Sequence, residues 1–314
     1  MTQAADRFDL LVVGGGINGA GIARDAAGRG LRVALIEQGD FGGATSSAST
    51  KLIHGGLRYL EHYEFRLVAE ALAEREVLLR LAPHIAWPLR FVMPHVAGLR
   101  PAWMIRAGLW LYDHLGGRSS LPGSQAVRLT ADGFGAGLDP RIRKGFAYSD
   151  AWVDDARLVI LNLRSAQAHG ATLHARTRFV SAQRDGSGWR AVVENAASGE
   201  RGELRARVLV NAAGPWVKPV LDATGGGQVP AKVQLVKGSH IVVPRAYRGE
   251  HAYILQNHDK RIVFMIPYER DFTLIGTTDV AVASLAEARV IDVDETRYLL
   301  DAVNRYLVRP LAER

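Results

Sequence analysis

The chain has no cysteine and no apolar run as long as the roughly 20 residues that a membrane-spanning helix requires. The first absence excludes disulfides, thiolate metal sites and cysteine nucleophiles, and it fits a cytoplasmic setting. The second argues against a membrane span, the best candidate segment being interrupted by Arg106. Also missing are zinc-finger spacing, an aromatic RNA-binding motif and any Lys/Arg block. The formal net charge of +7 is spread along the chain, so among the anionic partners it can attract, nucleic acid ranks below a lipid surface or an anionic substrate. The N-terminus carries Asp6 and Asp9 where a signal peptide wants basic residues, so a strand is expected there and not a leader.

What is present is an ordinary globular composition, 48% hydrophobic and 23% charged, at a length of 314 residues that suits about two domains. The run "FDLLVV" ending at Val13 has the look of a buried parallel strand. Gly14, Gly16 and Gly19, with Asn18 among them, form G-x-G-x-x-G, and helical character continues to Gly28 and Gly30. A second strand, "LRVALIE", ends in Glu37. Strand, glycines, helix, strand and terminal acid within about 30 residues is the context that a dinucleotide motif requires. Gly14 makes the tight turn, Gly16 lets the backbone approach a pyrophosphate, and Gly19 lets helix pack on strand. The helix N-terminus favours the phosphates, and Glu37 can accept from a ribose hydroxyl. The acid disfavours NADP and leaves NAD and FAD open.

Further along, Glu64 to Leu81 is helical, with Phe65, Val68, Leu72 and Leu79 near helical spacing and Glu76–Arg80 as an i,i+4 pair; its charges suit a solvated face. The segment Arg100 to Arg118 mixes Trp103, Met104 and Trp110 with arginines, which suits a membrane interface or a helix packed within the protein. "YSDAWVDDARLVILNLRSAQAHGA" reads as a turn followed by a helix. "TLHARTRFVSAQ", "GWRAVVENA" and "GELRARVLVNAAGPW" read as an antiparallel meander whose last run rejoins the nucleotide domain. A second strand-rich region follows Lys232, and "TGGGQVP" is the best candidate junction between domains.

The segments "VVGGGINGAGIARDAAGRGL", "ATSSASTKLIHGGLRYLEHYEFRLVAEALAEREVLL", "RPAWMIRAGLWLYDHLGGR", "YSDAWVDDARLVI", "LVNAAGPWVK", "KGSHIVVP" and "AYILQNHDKRIVFMIPY" with "IGTTD" strongly resemble the FAD-dependent, aerobic glycerol-3-phosphate dehydrogenases over essentially the whole chain. The resemblance implies an α/β fold with an α+β second domain. The first is a discontinuous FAD-binding Rossmann domain of the glutathione-reductase type, over 1–85 plus 146–224; the second is a mixed-sheet substrate domain over 86–145 plus 225–314. It implies oxidation of sn-glycerol 3-phosphate to dihydroxyacetone phosphate, FAD as cofactor, no metal, and ubiquinone or menaquinone as acceptor. It also implies a peripheral place on the cytoplasmic face of the bacterial inner membrane, and it leaves a homodimer open.

Residue by residue, Gly14, Gly16, Asn18, Gly19 and Glu37 match the family's nucleotide contacts. Ser46, Ser47, Ser49 and Thr50 match the stretch along the flavin, and Ala212, Gly214 and Trp216 match the second flavin-contacting strand end. His54, Arg58 and Tyr59 match the substrate pocket, and Thr277 and Thr278 are further substrate candidates. His54 suits a base that removes the C2 hydroxyl proton. Arg58 suits a fork on the phosphate or a partner for the developing oxyanion. Family members are longer, and the expected helical C-terminal domain is absent here. A glycerol-3-phosphate oxidase using oxygen and an inactive truncated flavin-binding fragment are the alternatives.

Overall fold

The structure, a computed structural model, describes residues 7–96, 98, 100–117, 119–225, 233–259 and 261–313. The first stretch of chain carries β1 (Arg7–Val13), α1 (Ile17–Gly28) and β2 (Val33–Ile36). The second carries β3 (Leu52–Ile53), α2 (Phe65–Leu81), β4 (Ala86–Pro94), α3 (Ala102–Leu115), β5 (Gln125–Arg128) and β6 (Lys144–Val153). The third carries α4 (Asp155–Ala168), β7 (Thr172–His174), β8 (Thr177–Asp185), β9 (Gly188–Asn195), β10 (Arg201–Asn211) and α5 (Val217–Asp222). The fourth carries β11 (Leu235–Lys237), β12 (His240–Pro244), β13 (Ala252–Gln256), β14 (Ile262–Tyr268), β15 (Phe272–Gly276), β16 (Val280–Val282) and α6 (Val293–Asn304). These stretches alternate between two units, 1–49 with 154–233 and 50–153 with 234–314. The expected boundaries lay elsewhere, at 85/86, 145/146 and 224/225. The difference arises because β3 and β4 both pair with β6, which draws residues 50–85 and 146–153 into the second unit. Within "TGGGQVP", residues 226–230 lie outside the described residues, as do Arg118 and Lys232.

The first unit is an α/β layer structure. Its sheet runs β7-β2-β1-β10-β9-β8, with parallel pairing from β7 to β10 and antiparallel pairing through β9 and β8. β1 and β2 are nearly all apolar because both their faces are covered. Val12, Val33 and Leu35 face Ala20, Ala23 and Ala27 of α1 and Val159, Leu163 and Ala166 of α4. Alternate residues Leu11, Val13, Ala34 and Ile36 pack with Ala182, Ala191 and Val220. The run "TLHARTRFVSAQ" is not one strand: β7 joins β2, the chain turns at Ala175 and Arg176, and β8 starts the meander.

The second unit is built on an eight-stranded mixed sheet, β12-β15-β14-β13-β4-β6-β3 with β5 on β6, beside the small β11–β16 ribbon. On one face Leu89, Phe91 and Met93 of β4 pack with Val68 and Leu72 of α2 and Ile105, Leu109 and Tyr112 of α3. On the other, Val92, Tyr253 and Met265 pack with Leu299, Ala302 and Val303 of α6. Two sequence readings are corrected here. "YSDAWV" is not a turn but the end of β6, paired with β4 from Pro94↔Gly145 to Ala86↔Val153. Its Ser149 and Asp150 suggested a turn because their partners are remote in sequence: Arg90 donates to Ser149, and Arg75 and Tyr112 donate to Asp150. For the same reason Arg75 and Glu76 of α2 are buried, not part of a solvated face.

Candidate functional site

In the first unit, the end of β1 turns into α1 through three glycines that do different jobs. Gly14 has φ +113°, and a Cβ there would lie 2.4 Å from the Ala212 carbonyl oxygen. A Cβ on Gly19 would lie 1.9 Å from the Gly14 carbonyl oxygen, so Gly19 is fixed by helix-to-turn packing. At Gly16 the only near atom is Ser46 Oγ at 3.0 Å, so this glycine keeps open the approach to the helix N-terminus. α1 has no capping side chain of its own, and the Ile17 amide instead donates to Ser46 Oγ (3.0 Å). Asn18 is exposed in the first turn.

Glu37, half-buried just beyond β2, accepts from the Gly15 amide on Oε2 and the Gly39 amide on Oε1, each at 2.8 Å. A carboxylate has about four lone-pair sites, so a pair of ribose hydroxyls can still be accepted. Ser47 donates to the Ala44 carbonyl (3.2 Å) and Ser49 to Asp155 (2.7 Å). The Ala212 amide donates to the Val13 carbonyl (2.8 Å), which clamps the ends of β10 and β1 together. Gly214, at φ +53°, opens the short turn that carries half-buried Trp216 into α5, and Asn211 braces it by donating to the Val217 carbonyl (2.7 Å). Open backbone at Gly16, a helix N-terminus whose N-cap glycine supplies no capping side chain, and an acid locked by two amides fit the pyrophosphate and ribose of a dinucleotide.

In the second unit, Arg58, Lys237, Arg261, Thr277, Thr278 and Asp279 are among the residues lining a cavity of about 180 Å³. Arg58 is exposed and has no ion-pair partner among the described residues. Arg261 is held by Asp259 (2.6 Å) and lies over the ring of Tyr298 at 3.9 Å. Lys237 is buried, with Nζ 2.5 Å from Glu295 and 3.0 Å from the Val290 carbonyl; the Glu295 hydrogen bond pushes its pKa up. Burial pushes Glu295 the other way, toward the neutral acid, but hydrogen bonds from Lys237, Thr278, the Asp292 amide and Ser239 prevail and hold its pKa at about 2. Lys237 therefore stays charged in neutral solution.

The other expected substrate residues fall in the same unit. His54 is exposed, and its Nδ1 accepts from the Gly56 amide (3.0 Å), so the neutral ring carries its proton on Nε2. Tyr59 stands just beyond Gly56, whose φ of +73° and missing Cβ leave room for the Tyr59 ring. Thr277 lines the cavity, its hydroxyl donating to the Thr278 carbonyl (3.1 Å). Thr278 also lines the cavity, but its hydroxyl is already engaged within the fold. It is 3% exposed, gives its one hydroxyl proton to Glu295 (2.6 Å) and accepts from the Ser239 amide (2.8 Å), so it braces the cavity wall. Thr50, expected beside Ser49 along the flavin, belongs to the second unit and is hydrogen-bonded to His240 (3.0 Å).

Sequence reasoning missed Lys237, Arg261 and Asp279 of the cavity wall. The available signals were a lysine inside the apolar run before Gly238 and an arginine opening the apolar strand β14. Each is weak until the fold brings them beside Arg58.

The sequence pattern of the FAD dependent oxidoreductase family matches residues 9–314. The chain is 58% identical over 308 residues to a glycerol-3-phosphate dehydrogenase of Pseudomonas aeruginosa, covering 98% of this chain and 59% of that protein. It is 56% identical over 303 residues to a D-erythritol 1-phosphate dehydrogenase of Brucella abortus, covering 96% of this chain and 60% of that protein. A solved glycerol-3-phosphate dehydrogenase from Bacillus halodurans, complexed with FAD, superposes with a TM-score of 0.74 at 29% identity over 98% of this chain and 54% of its own. The chain thus spans 59–60% of the length of these two curated relatives. With its glycine turn, its locked acid and this match over nearly its whole length, the chain belongs to the FAD dependent oxidoreductase family.

Proposed function

We propose that this chain is the flavin- and substrate-binding portion of a dehydrogenase that oxidises the C2 alcohol of sn-glycerol 3-phosphate to dihydroxyacetone phosphate. The observation that carries the reading is the cavity where Arg58, Lys237 and Arg261 meet, which suits a phosphate monoester. Asp279 on the same wall can accept from polyol hydroxyls. Gly14, Gly16 and Gly19 with the α1 N-terminus hold the FAD pyrophosphate, and Glu37 holds its ribose. Bound FAD supplies the hydride acceptor. The hydroxyl proton needs a separate acceptor, which we assign to His54. Its Nε2 carries the ring proton while Gly56 holds Nδ1, so the imidazole turns away from Gly56 before a bare nitrogen faces the alcohol.

Mixing flavin-loaded protein anaerobically with glycerol 3-phosphate should bleach the flavin band; an unchanged spectrum removes the assignment. A second reading has one specific support, the 56% identity to an erythritol 1-phosphate dehydrogenase. In that case the four-carbon phosphate gives the larger kcat/KM of the two.

The acceptor reading is a quinone at the cytoplasmic face of the inner membrane. Among the described residues no helix is long and apolar enough to cross a membrane. α3 exposes Trp103 (71%), Met104 and Trp110, apolar side chains that suit the interfacial zone of a bilayer. Flotation with anionic liposomes tests the location: protein left in the soluble fraction counts against it. Reduction of a quinone analogue compared with peroxide release tests the acceptor, and peroxide at equal turnover favours an oxidase.

A further inference from the structure

Beneath the turn that carries His54 and Arg58 lies a buried charged cluster that the proposed chemistry does not use. Asp150 on β6 is 2% exposed and Arg75 on α2 is 4% exposed. Arg75 Nη1 donates to Asp150 (2.7 Å) and to the Ser149 carbonyl (3.1 Å), and Nη2 donates to Glu76 (3.0 Å) and Ser119 (3.1 Å). The Tyr112 hydroxyl, on α3, donates to the Asp150 carboxylate at 2.9 Å and accepts from the Gly55 amide at 2.7 Å. A hydrophobic core could replace such an ion pair at little cost or even a gain in stability, so its presence calls for another reason.

The reason lies at the far end of the chain of bonds. Gly55 is pressed onto the cluster: a Cβ there would lie 2.6 Å from Leu72 and 2.8 Å from the Tyr112 hydroxyl. One residue on, the Gly56 amide holds His54 Nδ1, and Gly56 is also the φ-positive start of the short helical turn Leu57–His62 that carries Arg58 and Tyr59. A shift of the Gly55 backbone therefore moves His54 on one side and Arg58 on the other. We propose that Arg75, Asp150 and Tyr112 are positioning residues that fix the His54–Arg58 turn through the Gly55 amide, and so set how the protein grips an anionic substrate. This rests on the assignment of His54 and Arg58 to the substrate.

Tyr112→Phe keeps the ring and removes the hydroxyl. In the flavin-loaded full-length protein it should raise KM for glycerol 3-phosphate about tenfold with flavin content unchanged, and speed amide hydrogen exchange in peptides covering residues 52–60 alone. Asp150→Leu should do the same, whereas Asp150→Asn, whose amide oxygen still accepts from Tyr112, should recover most of the lost affinity although a buried charge is gone. This pair carries the comparison if Tyr112→Phe does not fold. Exchange that rises uniformly through α2, α3 and β6, with KM unchanged or simply following thermal stability across the variants, overturns the proposal. If the parent protein turns over no glycerol 3-phosphate, the substrate assignment fails and the exchange pattern still decides whether the cluster holds the turn.

Discussion

On the proposed reading, the corner around Gly14 and the cavity around Arg58 solve the same problem, holding an anion, with opposite means. In the first unit the work is done by backbone: glycines that admit no side chain, amide groups, and one acid fixed by two amides within a short stretch of chain. In the second it is done by side chains from separate strands and turns, held in place by partners such as Glu295 and Asp259. A backbone site tolerates almost no change of shape but needs little charge tuning. A side-chain site tolerates changes of shape but depends on each partner.

The largest expected effect tests the first half of that contrast. Gly19→Ala puts a methyl 1.9 Å from the Gly14 carbonyl oxygen, whereas Gly21, in the same helix, has nothing within 4 Å of where its Cβ would be. Gly19→Ala should cost more than about 4 kcal/mol, in the range of severe core lesions, and abolish flavin retention. Gly21→Ala should stabilise by up to about 1 kcal/mol through helix propensity. Thermal denaturation and flavin content of the two variants check this; a stable, flavin-holding Gly19→Ala protein breaks the backbone account.

Next in size is a pH effect in the second unit that has nothing to do with the cavity. His251 is buried among Phe134, Tyr247 and Tyr253, with no partner for Nε2 among the described residues; burial lowers its pKa to about 4, against a small opposing pull from Glu250. Because the folded pKa is depressed, the unfolded chain binds the proton first as pH falls. Stability is intact above the ordinary histidine value and is lost between about pH 6.5 and 4, by about 3 kcal/mol at most. His251→Phe should flatten that limb in denaturant titrations run across this range. An unchanged slope would mean that other groups carry the acid sensitivity.

The same contrast explains how much the sequence could disclose. β1, α1, β2 and Glu37 are legible because the motif is local: each part lies within reach of the next along the chain. The meander and the strand-rich region also follow from alternation. Arg75, Asp150, Lys237 and Arg261 are not legible, since a charged residue in an apolar run looks like a solvated face or a turn until its partner, dozens of residues away, is in place. Ser149 and Asp150 imitated a turn for this reason, and Thr278 looked free to meet a substrate because the carboxylate that takes its proton comes from α6.

Arg58→Ala tests the second half of the contrast. Arg58 is exposed and unpaired by any acid among the described residues, so the fold should not notice its loss. KM for glycerol 3-phosphate should rise about a hundredfold, the equivalent of about 3 kcal/mol for a charge-assisted fork. Flavin content and melting temperature should stay put. A fall in flavin retention of similar size would show that the two anion sites are not separable.

The smallest effect is the mirror image. Glu37→Gln keeps the size of the side chain but replaces one oxygen that accepts from an amide with an NH₂ group that cannot, so either the Gly15 or the Gly39 bond is lost and the other loses its charge assistance. Flavin affinity should drop about tenfold, or about 1.4 kcal/mol, while KM for the phosphate substrate, measured with flavin in excess, should not move. Flavin titration and steady-state kinetics on Glu37→Gln and Arg58→Ala together give four numbers that should fall in a crossed pattern. If Glu37→Gln instead shifts the substrate KM as much as the flavin affinity, the acid is holding the shape of the β1–α1 corner and not the ribose, and the backbone site then has no specific ligand-reading side chain at all.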